Sequence, residues 1–123
     1  MRLFRAILFV KDLPRMAAFY ENTLGLTPNT ETRSTEWVEF DAEGTTFALH
    51  AIPEEFAKGI RTSSPPTARE QAPTKLCFFV ADLPAVRSRL EAAGVTLIDR
   101  AWGSVDALDP EGNVFQLCTL GSP

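Results

Sequence analysis

The chain has 123 residues, 45% of them hydrophobic and 23% charged, with a formal net charge of -4. That length fits one domain over 1–123 with a single core, and the composition excludes a disordered chain. An acidic balance without a run of Lys or Arg argues against a nucleic-acid partner, and no stretch is long and apolar enough to span a bilayer.

Leu3 to Val10 is a short run of apolar residues, the pattern of a buried strand. Its purely apolar part, Ala6 to Val10, is too short for a leader peptide, and Lys11-Asp12 ends it without a cleavage site. The expected compartment is therefore the cytosol, and the membrane is not an expected partner. Asp12 is a candidate N-cap and Pro14 suits the first helical turn, where its missing N–H costs nothing. Leu13, Ala17, Tyr20 and Leu24 recur at helical spacing, and Gly25 supplies a C′ residue that accepts positive φ. A weak strand is expected around Thr27 to Thr32. Trp37 to Phe40 and Thr46 to Ile52 read as two further strands joined by the turn Asp41-Ala-Glu-Gly44. Residues 53–74, with Ser63-Ser64-Pro65-Pro66 and little periodicity, read as a linker or a lid, and Glu54 to Lys58 as a helical turn within it.

The remaining residues repeat this order. Phe9-Val-Lys-Asp-Leu-Pro14 recurs as Phe79-Val-Ala-Asp-Leu-Pro84, Gly25 as Gly94, and Asp41-Ala-Glu-Gly44 as Asp109-Pro-Glu-Gly112, at offsets of 70, 69 and 68. Leu76 to Val80 matches the first strand. Asp82 is the second N-cap, and Leu83, Val86, Leu90 and Ala93 form the second helical stripe. A weak strand over Val95 to Arg100 and strands over Val105 to Leu108 and Val114 to Leu120 follow. The fold class expected is α+β, as two modules of strand, helix and three strands over 1–52 and 75–123. Cys77 and Cys118 make no disulfide framework and no zinc pattern; each reads as a small core hydrophobe. Their separation of 41, equal to that of Lys75 and Gln116, also suggests a side-by-side redox pair.

Val10-Lys-Asp-Leu-Pro14, Ala18-Phe-Tyr20 and Leu24-Gly-Leu26 resemble the first module of the vicinal oxygen chelate superfamily. Arg89-Leu-Glu-Ala-Ala-Gly-Val95, Trp102-Gly103 and Asp109-Pro-Glu-Gly-Asn113 resemble its second. The superfamily includes glyoxalase I, extradiol dioxygenases and the fosfomycin- and bleomycin-resistance proteins. The resemblance implies paired βαβββ modules with curved sheets around a cavity, helices on the outer face, and a homodimer. In metal-dependent members the ligands come from the first and last strand of each module, usually His and Glu. Carried over by position, those sites are Arg5, Ala48, Lys75 and Gln116.

That set does not suit a divalent cation. Arg and Lys bring positive charge, Ala brings no donor and Gln brings one neutral oxygen, and the chain has a single His. No metal and no other cofactor are expected. Strand alternation instead sets Arg5 with Ile7 and Phe9, Lys75 with Cys77 and Phe79, Ala48 with Thr46 and His50, and Gln116 with Val114 and Cys118. Trp37 and Glu39 share a face, and Glu39 is placed to pair with Arg5. The expected function is metal-independent binding of an apolar, anionic small molecule, in the manner of bleomycin-resistance proteins. Its expected ligand-binding residues are Arg5, Phe9, Trp37, His50, Lys75, Phe79 and Gln116. No catalytic residue is assigned. The alternative is a glyoxalase-like lyase or isomerase with His50 or Glu39 as acid–base.

Overall fold

The computed structural model describes residues 1–123. Its contacts divide the chain into two compact units, Met1–Arg61 and Thr62–Pro123. Each unit is built around one curved, unclosed sheet, of three strands in the first and four in the second.

In the first unit β1 (Arg5–Val10) leads to α1 (Leu13–Ala18), then β2 (Trp37–Asp41), β3 (Thr46–Ala51) and a single helical turn, α2 (Glu54–Ala57). The sheet order is β1-β3-β2, with β1 parallel and β2 antiparallel to β3. The Asp12 side chain caps α1 by accepting from the Arg15 N–H at 3.2 Å, as the sequence predicts. The helix then widens into a π-turn over Phe19–Thr23, closed by the Leu24 N–H to the Phe19 carbonyl. Gly25 follows at φ 78°. Helix and sheet share one core: Tyr20 meets the Phe47 ring edge-on at 4.9 Å, and Phe47 stacks on Phe40 at 6.0 Å. Val10, Met16, Val38 and Leu49 complete it, all nearly inaccessible to solvent. The expected strand over Thr27 to Thr32 is only an isolated bridge, Pro28 to Phe40. Pro28 has no N–H to donate, and the Asn29 side chain turns the chain by accepting from the Glu31 N–H at 3.0 Å.

The second unit contains β4 (Leu76–Phe79), α3 (Leu83–Ala92), β5 (Leu97–Asp99), β6 (Val105–Leu108) and β7 (Val114–Cys118), with sheet order β4-β7-β6-β5. Here the strand missing from the first unit does form, as β5. Asp82 caps α3 through the Ala85 N–H at 3.0 Å. Arg87 of α3 grips Asp99 of β5 through bonds of 2.6 and 2.7 Å, which hold that carboxyl below its usual range. Ala93, expected on the apolar stripe, is instead the exposed C-cap. The last strand stops at Cys118 rather than Leu120, because the Thr119 N–H turns to the Ser122 hydroxyl at 2.8 Å.

The connection over 53–74 falls on both sides of the unit boundary. Its later part is strapped to the second unit. The Arg69 N–H donates to the Gly112 carbonyl at 2.9 Å, and the Arg69 side chain to Asn113 Oδ1 at 3.1 Å. No helix is long and apolar enough to cross a membrane.

Candidate functional site

The face of the first sheet away from its helix is organised in three rows set by register. Phe9, His50 and Trp37 lie level across the three strands, as do Ile7, Ala48 and Glu39, and then Arg5, Thr46 and Asp41. The top row is aromatic, with ring centroids 5.4 Å apart for Phe9 and His50 and 5.7 Å apart for Trp37 and His50. Ala48, fully buried, is the small floor of the middle row. Arg5 donates its Nε to Thr46 Oγ1 at 2.9 Å and pairs with buried Glu39 at 2.5 Å. Its guanidinium lies 5.2 Å from the Trp37 ring centroid, within cation–π range. On the same face Ile7 and Phe9 stay exposed, at 47% and 58%.

The second sheet repeats the register with different chemistry. Phe79 lies level with Cys118, and Cys77 with Gln116 and Asp106. Lys75 Nζ is 3.2 Å from both oxygens of Asp106, a carboxylate only 1% exposed. Arg100 donates to the same carboxylate at 2.8 Å and to Glu70 at 3.0 and 3.1 Å, so one buried anion joins two cations. Gln116 is buried. It donates to the Pro123 carbonyl at 2.7 Å, and its Oε1 is 3.7 Å from Cys77 Sγ. The Cys118 thiol faces the Phe78 carbonyl at 3.5 Å. Both cysteines are free. Cys77 is exposed rather than a core hydrophobe; the desolvation it does undergo and the neighbouring Cys118 push its thiol above the ordinary value, against the pull of Lys75.

Arg5, Phe9, Trp37 and His50 are thus brought together on the first sheet, and Lys75, Phe79 and Gln116 share a face of the second. Each expected cation is held by a carboxylate. The donor set at Arg5, Ala48, Lys75 and Gln116 does not fit the divalent metal of metal-dependent vicinal oxygen chelate proteins. Ala48 has no donor, and the two cations repel one. No group of three or more His, Cys, Asp or Glu side chains is placed to hold a metal ion. The cysteines are not side by side. The strands pair residues 39 apart (Leu76 with Phe115), so Cys77 is level with Gln116 and Cys118 is its diagonal neighbour.

Sequence alternation missed Asp106 and Arg100. Asp106 is the register counterpart of Glu39, each lying opposite the expected last-strand metal position. The turn between β6 and β7 runs over 109–113, one residue longer than the turn over 42–45, so counting back from the turn selects Ala107 instead. A separate open groove of about 480 Å³, lined by Lys11, Ile52, Glu54, Ala57 and Lys58, contains none of the expected residues.

A family model described as the glyoxalase/bleomycin resistance protein/dioxygenase superfamily matches residues 6–109. Among solved structures, a protein of unknown function from Agrobacterium tumefaciens str. C58 is 30% identical, with a TM-score of 0.69 over 97% of this chain and 94% of that one. A glyoxalase/bleomycin resistance protein/dioxygenase family enzyme from Burkholderia phytofirmans PsJN is 24% identical, with a TM-score of 0.70 over 97% and 98%. A lactoylglutathione lyase from Agrobacterium tumefaciens is 22% identical, with a TM-score of 0.64 over 96% and 92%. No curated protein matches the chain.

Proposed function

The chain belongs to the glyoxalase/bleomycin resistance protein/dioxygenase superfamily, and we propose that it is a metal-independent small-molecule-binding protein of the bleomycin-resistance kind. The observation that carries this reading is the three-row face of the first sheet. A planar apolar ligand on that face stacks on Phe9, His50 and Trp37, while a polar or anionic substituent reaches Arg5. Arg5 uses Nε for Thr46 and one terminal nitrogen for Glu39, which leaves its other terminal nitrogen as a donor to the ligand. An anion there adds to an existing ion pair, so the apolar surface supplies most of the affinity and the charge mainly orients. Lys75 and Gln116 provide the corresponding cation and amide on the second sheet. Exposed Leu3 and Phe4, outside the three-row face, also support a homodimer.

The lyase or isomerase alternative comes second. Glu39 is occupied by Arg5, and His50 makes ring contacts only, so neither has a proton partner within the face. The test uses 8-anilinonaphthalene-1-sulfonate as an apolar, anionic probe, read by fluorescence titration. Phe9→Ala, an exposed change, is expected to weaken the probe about tenfold through lost stacking and apolar contact. Unchanged affinity in that variant would overturn the aromatic-face reading. Equal affinity for uncharged N-phenyl-1-naphthylamine would remove the anionic part of it.

A further inference from the structure

The second sheet carries a pair of thiols that the ligand face of the first sheet does not use. Cys77 sits on β4 level with Gln116 of β7, and Cys118 sits on β7 level with Phe79 of β4. Side chains two apart on a strand share a face, so both thiols lie on the face that also holds Lys75, Gln116 and Asp106. Each leans into the space between the strands. Cys77 Sγ approaches the Gln116 amide oxygen on β7 at 3.7 Å, and Cys118 Sγ approaches the Phe78 carbonyl on β4, one residue from Cys77, at 3.5 Å. Ser104 immediately precedes β6, one step beyond the Val105–Leu117 pair, which sets it beside Cys118. Its hydroxyl is buried and has no hydrogen-bond partner. Two thiols, an amide oxygen and an unused hydroxyl thus occupy adjacent register positions.

On parallel strands about 4.8 Å apart with a rise of about 3.3 Å per residue, residues two steps out of register have Cα atoms roughly 8 Å apart, beyond the range of about 4.4–6.8 Å within which a disulfide closes. An ion placed between the sulfurs changes that limit. Two metal–sulfur bonds of about 2.3 Å separate the sulfurs by up to about 4.6 Å, which extends the permitted Cα distance to cover a diagonal pair. The surrounding chemistry then selects the ion. Zinc asks for four donors, and the nearest carboxylate, Asp106, is already shared by Lys75 and Arg100. A soft monovalent cation is content with two thiolates.

We infer that Cys77 and Cys118 form a two-thiolate clamp for a soft monovalent metal cation such as Cu(I), beside the polar side chains of Gln116 and Ser104. Binding is written Cu⁺ + 2 RSH → [Cu(SR)₂]⁻ + 2 H⁺; two S–H bonds break, two Cu–S bonds form, and no oxidation state changes. Lys75 lies on the same face to offset the negative charge of the complex. Because binding releases two protons, affinity rises as pH rises. The clamp uses none of the aromatic residues of the ligand face and stands independently of that reading.

The experiment is anaerobic competition for Cu(I) against bathocuproine disulfonate, with native mass spectrometry for stoichiometry. The expected result is one Cu(I) per chain, at least about hundredfold weaker binding in Cys77→Ser and in Cys118→Ser alike, and tighter binding at pH 8 than at pH 6. Both variants are first shown to keep the urea midpoint of the parent, and Phe9→Ala serves as a control that retains full Cu(I) affinity. Two Cu(I) per chain, or a single-Ser variant within about threefold of the parent, would overturn the clamp. So would stoichiometric Zn(II) bound in preference to Cu(I).

Discussion

On the first sheet one cation meets one carboxylate; on the second, one carboxylate is shared by two cations. Arg5 opens β1 and Lys75 immediately precedes β4, and Glu39 on β2 and Asp106 on β6 hold equivalent register positions. What differs is the residue level with the acid on the last strand, Ala48 in one unit and Gln116 in the other, and what stands beside it. In the first unit the small Ala48 lies one row from three rings, and the ion pair is local. In the second, Gln116 fills that place, and Arg100 and Glu70 extend the pair into a network reaching the strap over 62–74. A repeated backbone can therefore conserve a charge pair as a structural element while its surroundings decide whether the face offers apolar surface or polar donors.

The largest difference between the two pairs follows from removing the acid. Asp106→Asn leaves Lys75 and Arg100 facing each other across a buried position, and is expected to cost about 3 kcal/mol. Glu39→Gln strands one cation that is partly exposed and still bonded to Thr46, at about 1.5 kcal/mol. Urea unfolding of the two variants measures both. Equal costs would mean that the shared carboxylate is no more structural than the local one.

A second contrast lies in the turns. Gly44 and Gly112 both have positive φ, 103° and 82°. A Cβ on Gly44 meets nothing within 4 Å, whereas one on Gly112 comes 2.1 Å from the Thr67 carbonyl oxygen. Gly44→Ala is expected to cost about 1–2 kcal/mol from backbone conformation alone. Gly112→Ala adds displacement of the strap, for a total of about 3 kcal/mol or less, with new proteolytic cleavage within 62–74. If the two variants match in urea midpoint and in cleavage, the strap is not anchored at Gly112.

Much of this was legible in the sequence because the signals were local. The caps at Asp12 and Asp82, the glycines at 25 and 94 and the two Asp-initiated turns each depend on residues within a few positions of one another. Glu39 is legible beside Arg5 because alternation along β2 and β1 is undisturbed. The second network escaped because it depends on register. One extra residue in the turn over 109–113 shifts the counting on β6, and the β4–β7 offset cannot be read from spacing within either strand. The weak strand after α1 failed for a different reason: Pro28 can accept a bridge but cannot donate to a ladder.

The smallest expected effect separates the two sheets at one register position, where Trp37 stands in the first unit and Ser104 in the second. Trp37 is level with His50, and Ser104 is level with Cys118. The ring fills its place, but the Ser104 hydroxyl is buried without a partner. A desolvated hydroxyl that bonds to nothing opposes folding, and deleting it removes that penalty at the loss of one small atom. Ser104→Ala is therefore expected to raise stability by about 0.5–1 kcal/mol, read as a higher urea midpoint with an unchanged slope. A lower midpoint would show that the hydroxyl has a bonding role in the folded chain.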